Sequence, residues 1–218
     1  MTTLIIDLDE TLVHSYESPT FLDGLRIYSD PQIFRDFHRK VKTYSINLEK
    51  NGVGVKIWGI FRPHTKEFLD FVYKYFDHVV IWSAGSNLYV QEIVDQMVKD
   101  FEIPHGKVIW SREKCQRHAG NFHKPIAQLG DDLKNRYYTD FRITPEKTLV
   151  LDDKVYTFMD NPQNGVLIPP FHPGEYPDLQ ALMDTSDHAL LDFMKWLSTD
   201  EVQKATDYRV LQKDKIFA

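Results

Sequence analysis

The stretch "LIIDLDETLVHS" runs from Leu4 to Ser15. An apolar run enters three acids, Asp7, Asp9 and Glu10, before any turn signal. Adjacent carboxylates repel one another, so a fold keeps them together only where something offsets their charge. Naming that partner is most of the functional problem.

The same pattern recurs further on. "HVVIW" (His78 to Trp82) runs into Ser83-Ala84-Gly85, "KVIW" (Lys107 to Trp110) into Ser111-Arg112, and "TLVL" (Thr148 to Leu151) into Asp152-Asp153. Unbroken β-branched runs of this length suit strands buried on both faces of a parallel sheet. Helical periodicity lies between them. Phe68, Phe71, Val72, Tyr75 and Phe76 share one face, with Pro63 and Thr65 at the start. Val90, Ile93, Val94, Met97 and Val98 repeat the pattern after the capping pair Ser86-Asn87. Ser186-Asp187 is expected to cap a last helix that turns Leu190, Phe193, Met194 and Leu197 inward. Alternating strands and helices predict an α/β fold with a parallel sheet flanked by helices.

One region departs from this rhythm. Between Ser15 and Arg62 the sequence suggests a helix only around Phe34 to Arg39. "TYSINLEKNGVGVKIWGIF" alternates apolar and polar residues around Asn51-Gly52, a strong hairpin signal because both turn residues accept positive φ. A small antiparallel β insertion, a flap at about residues 20–60, is expected on a single domain spanning 1–218. No Pro/Gly/Ser-rich linker, repeat or low-complexity segment marks a boundary.

Composition limits the function classes. The chain has 218 residues, 42% hydrophobic and 27% charged, with a net charge of -6. That balance argues against a general binder of nucleic acid or membrane surface. The single cysteine, Cys115, forms no internal disulfide and suits a reducing compartment. No run approaches a membrane span, and "TLII" follows the first residues without a charged leader or cleavage site. A soluble intracellular protein, cytoplasmic or nuclear, is the expectation.

Open parallel sheets bind ligands at the carboxyl ends of their strands. Here those ends carry Asp7, Asp9, Ser83 and Asp152-Asp153. Four acids in one crevice call for a cation, and hard carboxylate oxygens select Mg²⁺, which commonly bridges to phosphate. A hydroxyl such as Ser83 and a lysine would meet the remaining phosphate charge. Rival readings fit less well. An EF-hand loop needs an acid or amide and a glycine where Thr11 and Leu12 stand. The DxD of sugar-nucleotide transferases shares the metal logic but needs no strand-end Ser and acid pair elsewhere. Adjacent loop carboxylates are badly placed for a glycosidase pair. Solvated loop acids would explain Asp7 alone better than they explain the whole set.

These residues make up a recognisable pattern. "DLDETLVHS" resembles the first motif, DxDx[TV], of the haloacid dehalogenase superfamily. More closely, the chain resembles the FCP/SCP, or NLI-interacting-factor-like, phosphatases related to those acting on the RNA polymerase II C-terminal domain. "FRPHTKEFLDFV" (Phe61 to Val72) is similar to that family's R-P-h-x-x-x-F-L segment, and "VVIWSAG" to its second motif. "GNFHKPIAQLGDDL" (Gly120 to Leu133) is similar to its G-x-[YF]-x-K-D-L-x-x-L-G-R-D-L segment. "LVLDDKVYTFMDNPQNGVLIPPF" resembles its fourth-motif region, and "SDHALLDFMKWLS" and "TDYRVL" its closing helix and tail. Two positions depart from the pattern. Ala119 stands where the family often has Arg, and Asp152-Asp153 replaces the frequent Asp-Asn.

The resemblance implies a haloacid dehalogenase-like, Rossmann-like fold and a Mg²⁺-dependent protein phosphoserine/threonine phosphatase. It implies a phosphoprotein or phosphopeptide substrate, with the RNA polymerase II C-terminal domain as one such partner, and no direct nucleic-acid or membrane partner. By resemblance Asp7 is the nucleophile that becomes an aspartyl-phosphate, and Asp9 is the general acid and base. Thr11 would fix the loop through its hydroxyl, while Ser83 and Lys124 would hold phosphoryl oxygens. Asp7, the Asp9 backbone carbonyl, Asp152 and Asp153 would bind the metal. Leu48, Ile57 and Tyr89 are candidates for a substrate pocket between flap and second motif. A phosphatase for small molecules or nucleic-acid ends, and a silent phosphopeptide-binding module, are the alternatives. His118 and His123 read as ordinary histidines without a matching Cys or His cluster, and Cys115 as an ordinary thiol. Trp58, Phe61, Trp82 and Tyr89 read as core or flap sooner than as ligand-stacking residues.

Overall fold

The computed structural model describes residues 1–16, 24–50, 53–104, 108–134, 142–175 and 177–218. A five-stranded sheet lies at its centre, in the order β10-β9-β1-β5-β6. The strands are β1 Thr3–Ile6, β5 His78–Trp82, β6 Val108–Trp110, β9 Thr148–Asp152 and β10 Gly165–Leu167. All four pairings are parallel, with Ile5 opposite both Val80 and Val150.

The expected burial on both faces is visible residue by residue. Leu4, Ile6, Val79, Ile81, Leu149 and Leu151 share one apolar cluster. Their neighbours Ile5, Val80, Trp82 and Val150 share another on the opposite face. This is the period-2 alternation of strand side chains, with apolar cover on each side. Helices α2 (Thr65–Tyr75), α3 (Asn87–Phe101) and α6 (Ala189–Leu197) cover the first face through Phe68, Val72, Val90, Ile93, Leu190 and Phe193. Helix α4 (Ile126–Lys134) covers the second through Ile126, Leu129 and Leu133. Trp58, Phe61 and Trp82 are all buried.

The antiparallel insertion forms the sheet β2-β4-β3, built from Val13–Tyr16, Val53–Phe61 and Thr43–Lys50. It begins earlier in the chain than expected, because Val13 to Tyr16 pair with Trp58 to Phe61. The motif's own "VHSY" is therefore an insertion strand. Helix α1 (Pro31–Lys40) supplies the helix expected near Phe34, capped by Asp30 on the N–H groups of Gln32 and Ile33. The strands run in register from Thr43 opposite Ile60 to Lys50 opposite Val53. The Asn51-Gly52 turn lies outside the described residues.

Three details differ from expectation. The residue before α6 is His188, while Asp187, expected as its cap, accepts the Ala189 N–H and pairs with buried Arg62. Ser86 precedes α3 as expected, yet its hydroxyl makes no capping bond. Strands β7 (Gln116–His118) and β8 (Asn121–His123) form a hairpin turned by Ala119 and Gly120, both at positive φ. Three-residue strands carry too little periodicity to be read from sequence. Helices α5 (Leu179–Met183) and α7 (Asp200–Lys204) complete the α-helices among the described residues.

Candidate active site

Asp7 follows β1 directly, and its N–H continues the ladder to the Leu151 carbonyl at 3.0 Å. The chain then turns sharply. The Leu8 carbonyl accepts N–H groups from Thr11, Leu12 and Val13, and Glu10 takes φ 61°. A non-glycine residue in that region is strained and persists only where contacts over-determine it. Here the Glu10 carboxylate lies 2.8 Å from His14 Nδ1, and its carbonyl accepts the Phe171 N–H at 2.7 Å. The Thr11 hydroxyl, expected to fix this loop, is buried with no hydrogen-bond partner among the described residues. The backbone does that work: the Thr11 carbonyl accepts from Arg62 Nη1, whose guanidinium also binds Pro169 O and Asp187.

The turn aims Asp7 and Asp9 at different partners. Asp7 Oδ1 accepts from Lys124 Nζ at 2.5 Å, and the same ammonium reaches Asp152 Oδ2 at 2.6 Å. Asp9 instead accepts from the Tyr89 hydroxyl on Oδ1 and from Ser83 Oγ on Oδ2, the latter at 3.1 Å. Ser83 follows β5 directly, and its Oγ also accepts the Gly85 N–H at 2.9 Å. Lys124 follows β8, anchored by its N–H on the Thr157 carbonyl at 2.6 Å. Asp152 Oδ1 accepts the Lys154 N–H, and Lys154 Nζ lies 2.5 Å from Asp153 Oδ2. Asp7, Asp9, Ser83, Lys124, Asp152 and Asp153, from four sequence segments, thus converge at the strand ends. Lys154 was not anticipated, although it follows the acid pair directly in the sequence.

The buried charges around Asp7 do not balance among themselves. Asp7 and Asp152 carry two negative charges against the one ammonium of Lys124, and all three are buried. Burial raises the Asp7 pKa well above its ordinary value; Lys124 opposes this, and Asp152 and Asp9 add to it. Burial also raises Asp153, with Lys154 opposing. For Lys124 burial pulls the other way, but Asp152 and Asp7 outweigh it and hold the ammonium charged. A buried surplus of anion is stabilised by a cation. Carboxylate oxygens of Asp7, Asp152 and Asp153 lie within 4.8 Å of one another, the one such group among the described residues. An all-oxygen carboxylate set fits a hard divalent cation. The Asp9 carboxyl group lies outside this set, so its main chain alone is left for the metal role expected of it.

The three pocket candidates are placed less simply. Ile57 is buried in the main core, with Leu48 half-buried against it. Tyr89 is only 9% exposed and gives its hydroxyl to Asp9. Burial and the Asp9 carboxylate push its pKa up, so the phenol stays a donor. Cys115 is half-buried with a thiol pKa raised by burial, as suits an inert group. His123 Nδ1 meets Asp160 at 3.1 Å, and His118 packs edge-on against the His123 ring.

Comparison with known proteins gives the family. The family model for NLI interacting factor-like phosphatases matches residues 2–209, and the chain belongs to that family. It is 27% identical over 195 residues to the human carboxy-terminal domain RNA polymerase II polypeptide A small phosphatase 1, covering 89% of this chain and 59% of that protein. It is 30% identical over 166 residues to CTD small phosphatase-like protein 3 of Caenorhabditis elegans, covering 76% of this chain and 46% of that protein. The first relatives are matched over 53%, 30% and 59% of their own lengths, so the chain spans about a third to three fifths of them. Among solved structures, Fcp1, an essential RNA polymerase II CTD phosphatase, superposes with a TM-score of 0.61 at 19% identity. That match covers 98% of this chain and 58% of Fcp1, and it shows that the two share the haloacid dehalogenase-like fold.

Proposed function

We propose that this member of the NLI interacting factor-like phosphatase family is a Mg²⁺-dependent protein phosphoserine/threonine phosphatase that works through an aspartyl-phosphate on Asp7. The observation that carries the reading is the split between the two motif acids. Asp7 sits with a buried ammonium and two further carboxylates, while Asp9 sits apart on two hydroxyls. That split supports reading one carboxylate as the nucleophile and the other as the group for proton transfer.

In this mechanism Asp7 attacks phosphorus, and Asp9 gives a proton to the departing seryl oxygen. Asp9 then takes a proton from the water that opens the aspartyl-phosphate. Ser83 and Lys124 hold phosphoryl oxygens, so most of the catalysis is positioning and electrostatics. Asp7, the Asp9 backbone carbonyl, Asp152 and Asp153 would hold Mg²⁺. When bound, the ion offsets charge on the phosphoryl oxygens and on the acid cluster. The single-domain organisation is part of this reading, and so is a phosphoprotein substrate such as the RNA polymerase II C-terminal domain. No helix among the described residues is long and apolar enough to cross a membrane.

The test is hydrolysis of a phosphoserine peptide panel beside small phosphate esters, each with Mg²⁺ and with chelator. Preferential, Mg²⁺-dependent release from peptides is expected. A preference for small esters favours a metabolite phosphatase, and no turnover with retained phosphopeptide binding favours a silent binding module.

A further inference from the structure

We propose that Tyr89 is a positioning residue for Asp9, and that with Ser15 and Tyr44 it forms a one-way chain of hydroxyls pinning Asp9 Oδ1 and leaving Oδ2 to handle the proton. The inference rests on the acid–base reading of Asp9.

The direction of the chain follows from counting hydrogens. Each hydroxyl has one to give. Tyr89 gives its hydrogen to Asp9 Oδ1. Ser15 Oγ, 2.5 Å from the Tyr89 oxygen, must therefore be the donor in that contact. Tyr44, 2.6 Å from Ser15 Oγ, must in turn donate to Ser15. The order is Tyr44 to Ser15 to Tyr89 to Asp9, and each bond polarises the next in the same sense.

The fold makes room for this chain. A Cβ on Gly59 would lie 2.2 Å from Tyr44 Cζ, and one on Gly85 would lie 2.7 Å from Tyr89 Cδ1. Two glycines far apart in sequence thus leave the space the two rings occupy. Tyr44 lies on β3, Ser15 on β2 and Tyr89 in the first turn of α3, so three elements outside the motif loop converge on one carboxylate oxygen. With both rings buried, a ligand-stacking role for Tyr89 has little exposed surface to act through.

The other oxygen is held more loosely. Ser83 reaches Oδ2 at 3.1 Å, and Ser83 is also the group expected to turn to a phosphoryl oxygen. When it does, Oδ2 is released while Oδ1 stays fixed. Protonated Oδ2 then gives its hydrogen to the seryl oxygen as the seryl P–O bond breaks and the Asp7–phosphorus bond forms. In the second step Oδ2 takes a hydrogen from water as the water oxygen bonds to phosphorus and the Asp7–phosphorus bond breaks, releasing inorganic phosphate.

Tyr89→Phe tests this, since it keeps the ring and removes only the hydroxyl. The full chain is assayed with Mg²⁺ on a phosphoserine peptide and on p-nitrophenyl phosphate, whose leaving group departs without a proton. For the peptide, kcat should fall roughly 10- to 100-fold at little-changed KM, a part of the ~10²–10⁴ that a positioned acid–base group supplies. For p-nitrophenyl phosphate, the variant should release a burst of nitrophenol approaching one equivalent and then turn over slowly, because only its second step needs Asp9. Ser15→Ala should show a weaker form of the same burst and backs up the test if Tyr89→Phe folds poorly. A raised peptide KM with unchanged kcat would make Tyr89 a substrate contact and overturn the proposal. Equal losses on both substrates without a burst would overturn it too. A wild-type chain that hydrolyses neither ester would remove the phosphatase reading, and this inference with it.

Discussion

Lys124 Nζ lies 2.5 Å from Asp7 Oδ1 and 2.6 Å from Asp152 Oδ2, so one buried ammonium joins the carboxylates at the ends of β1 and β9. It comes from neither strand but from the segment after β8, and the Thr157 carbonyl anchors its backbone. Truncating it would leave two buried carboxylates facing each other.

Lys124→Met should therefore be damaging twice over. Leaving buried charges unpaired costs on the order of 3–5 kcal/mol. Activity should drop by at least the ~10²–10³-fold typical of losing one group that stabilises transition-state charge. Thermal melting and steady-state kinetics check both. Near-normal kcat in a folded variant would remove Lys124 from the site.

Asp9→Asn should leave the fold intact, because its amide oxygen can still accept from the Tyr89 hydroxyl while its NH₂ group gives to Ser83 Oγ, which can accept. Turnover of a phosphoserine peptide should fall by at least ~10²-fold, the lower range for general acid–base groups. Retained peptide turnover would assign the proton transfers elsewhere.

The effect of Mg²⁺ on stability should grow with pH. Burial raises the pKa values of Asp7, Asp9 and Asp153, so the folded chain holds their protons more tightly than the unfolded chain. The stability they contribute is fully present below the unfolded value, near pH ~4, and is lost as pH rises through the folded values. Lys124, also raised, stays charged across this range. Metal binds the ionised carboxylates. The gain in Tm on adding Mg²⁺ should thus be larger near pH 7.5 than near pH 5. A gain independent of pH would speak against a site built from these carboxylates.

Arg62→Ala tests the anchoring of the motif loop. The guanidinium is buried, pairs with Asp187 and donates to the carbonyls of Thr11 and Pro169. Its loss should destabilise by about 3–5 kcal/mol, as for a broken buried pair. An unchanged unfolding midpoint in denaturant would contradict that anchoring role.

Much of this arrangement was legible in the sequence. The two-sided strands announced themselves as unbroken apolar runs, and the strand-end acids, Ser83 and the lysine formed a motif set. The hairpin strands followed from alternation alone. What stayed hidden depends on tertiary neighbours. Nothing local says that "VHSY" pairs with β4, or that Asp187 serves Arg62 as well as α6. Alternation marks Ile57 and Leu48 as one face of the flap, but it cannot tell a ligand-facing side from one packed on a core. Tyr89 was legible as a pocket candidate or as core, while its hydroxyl partner is 80 positions away in sequence.

The central claim is that Asp7 carries the phosphoryl group. Rapid quenching of the chain with a radiolabelled phosphoserine peptide and Mg²⁺, followed by peptide mapping, tests it most directly. The account predicts a hydroxylamine-labile acyl phosphate on Asp7, absent in Asp7→Asn. Label on any other residue, or undiminished turnover by Asp7→Asn, would contradict it.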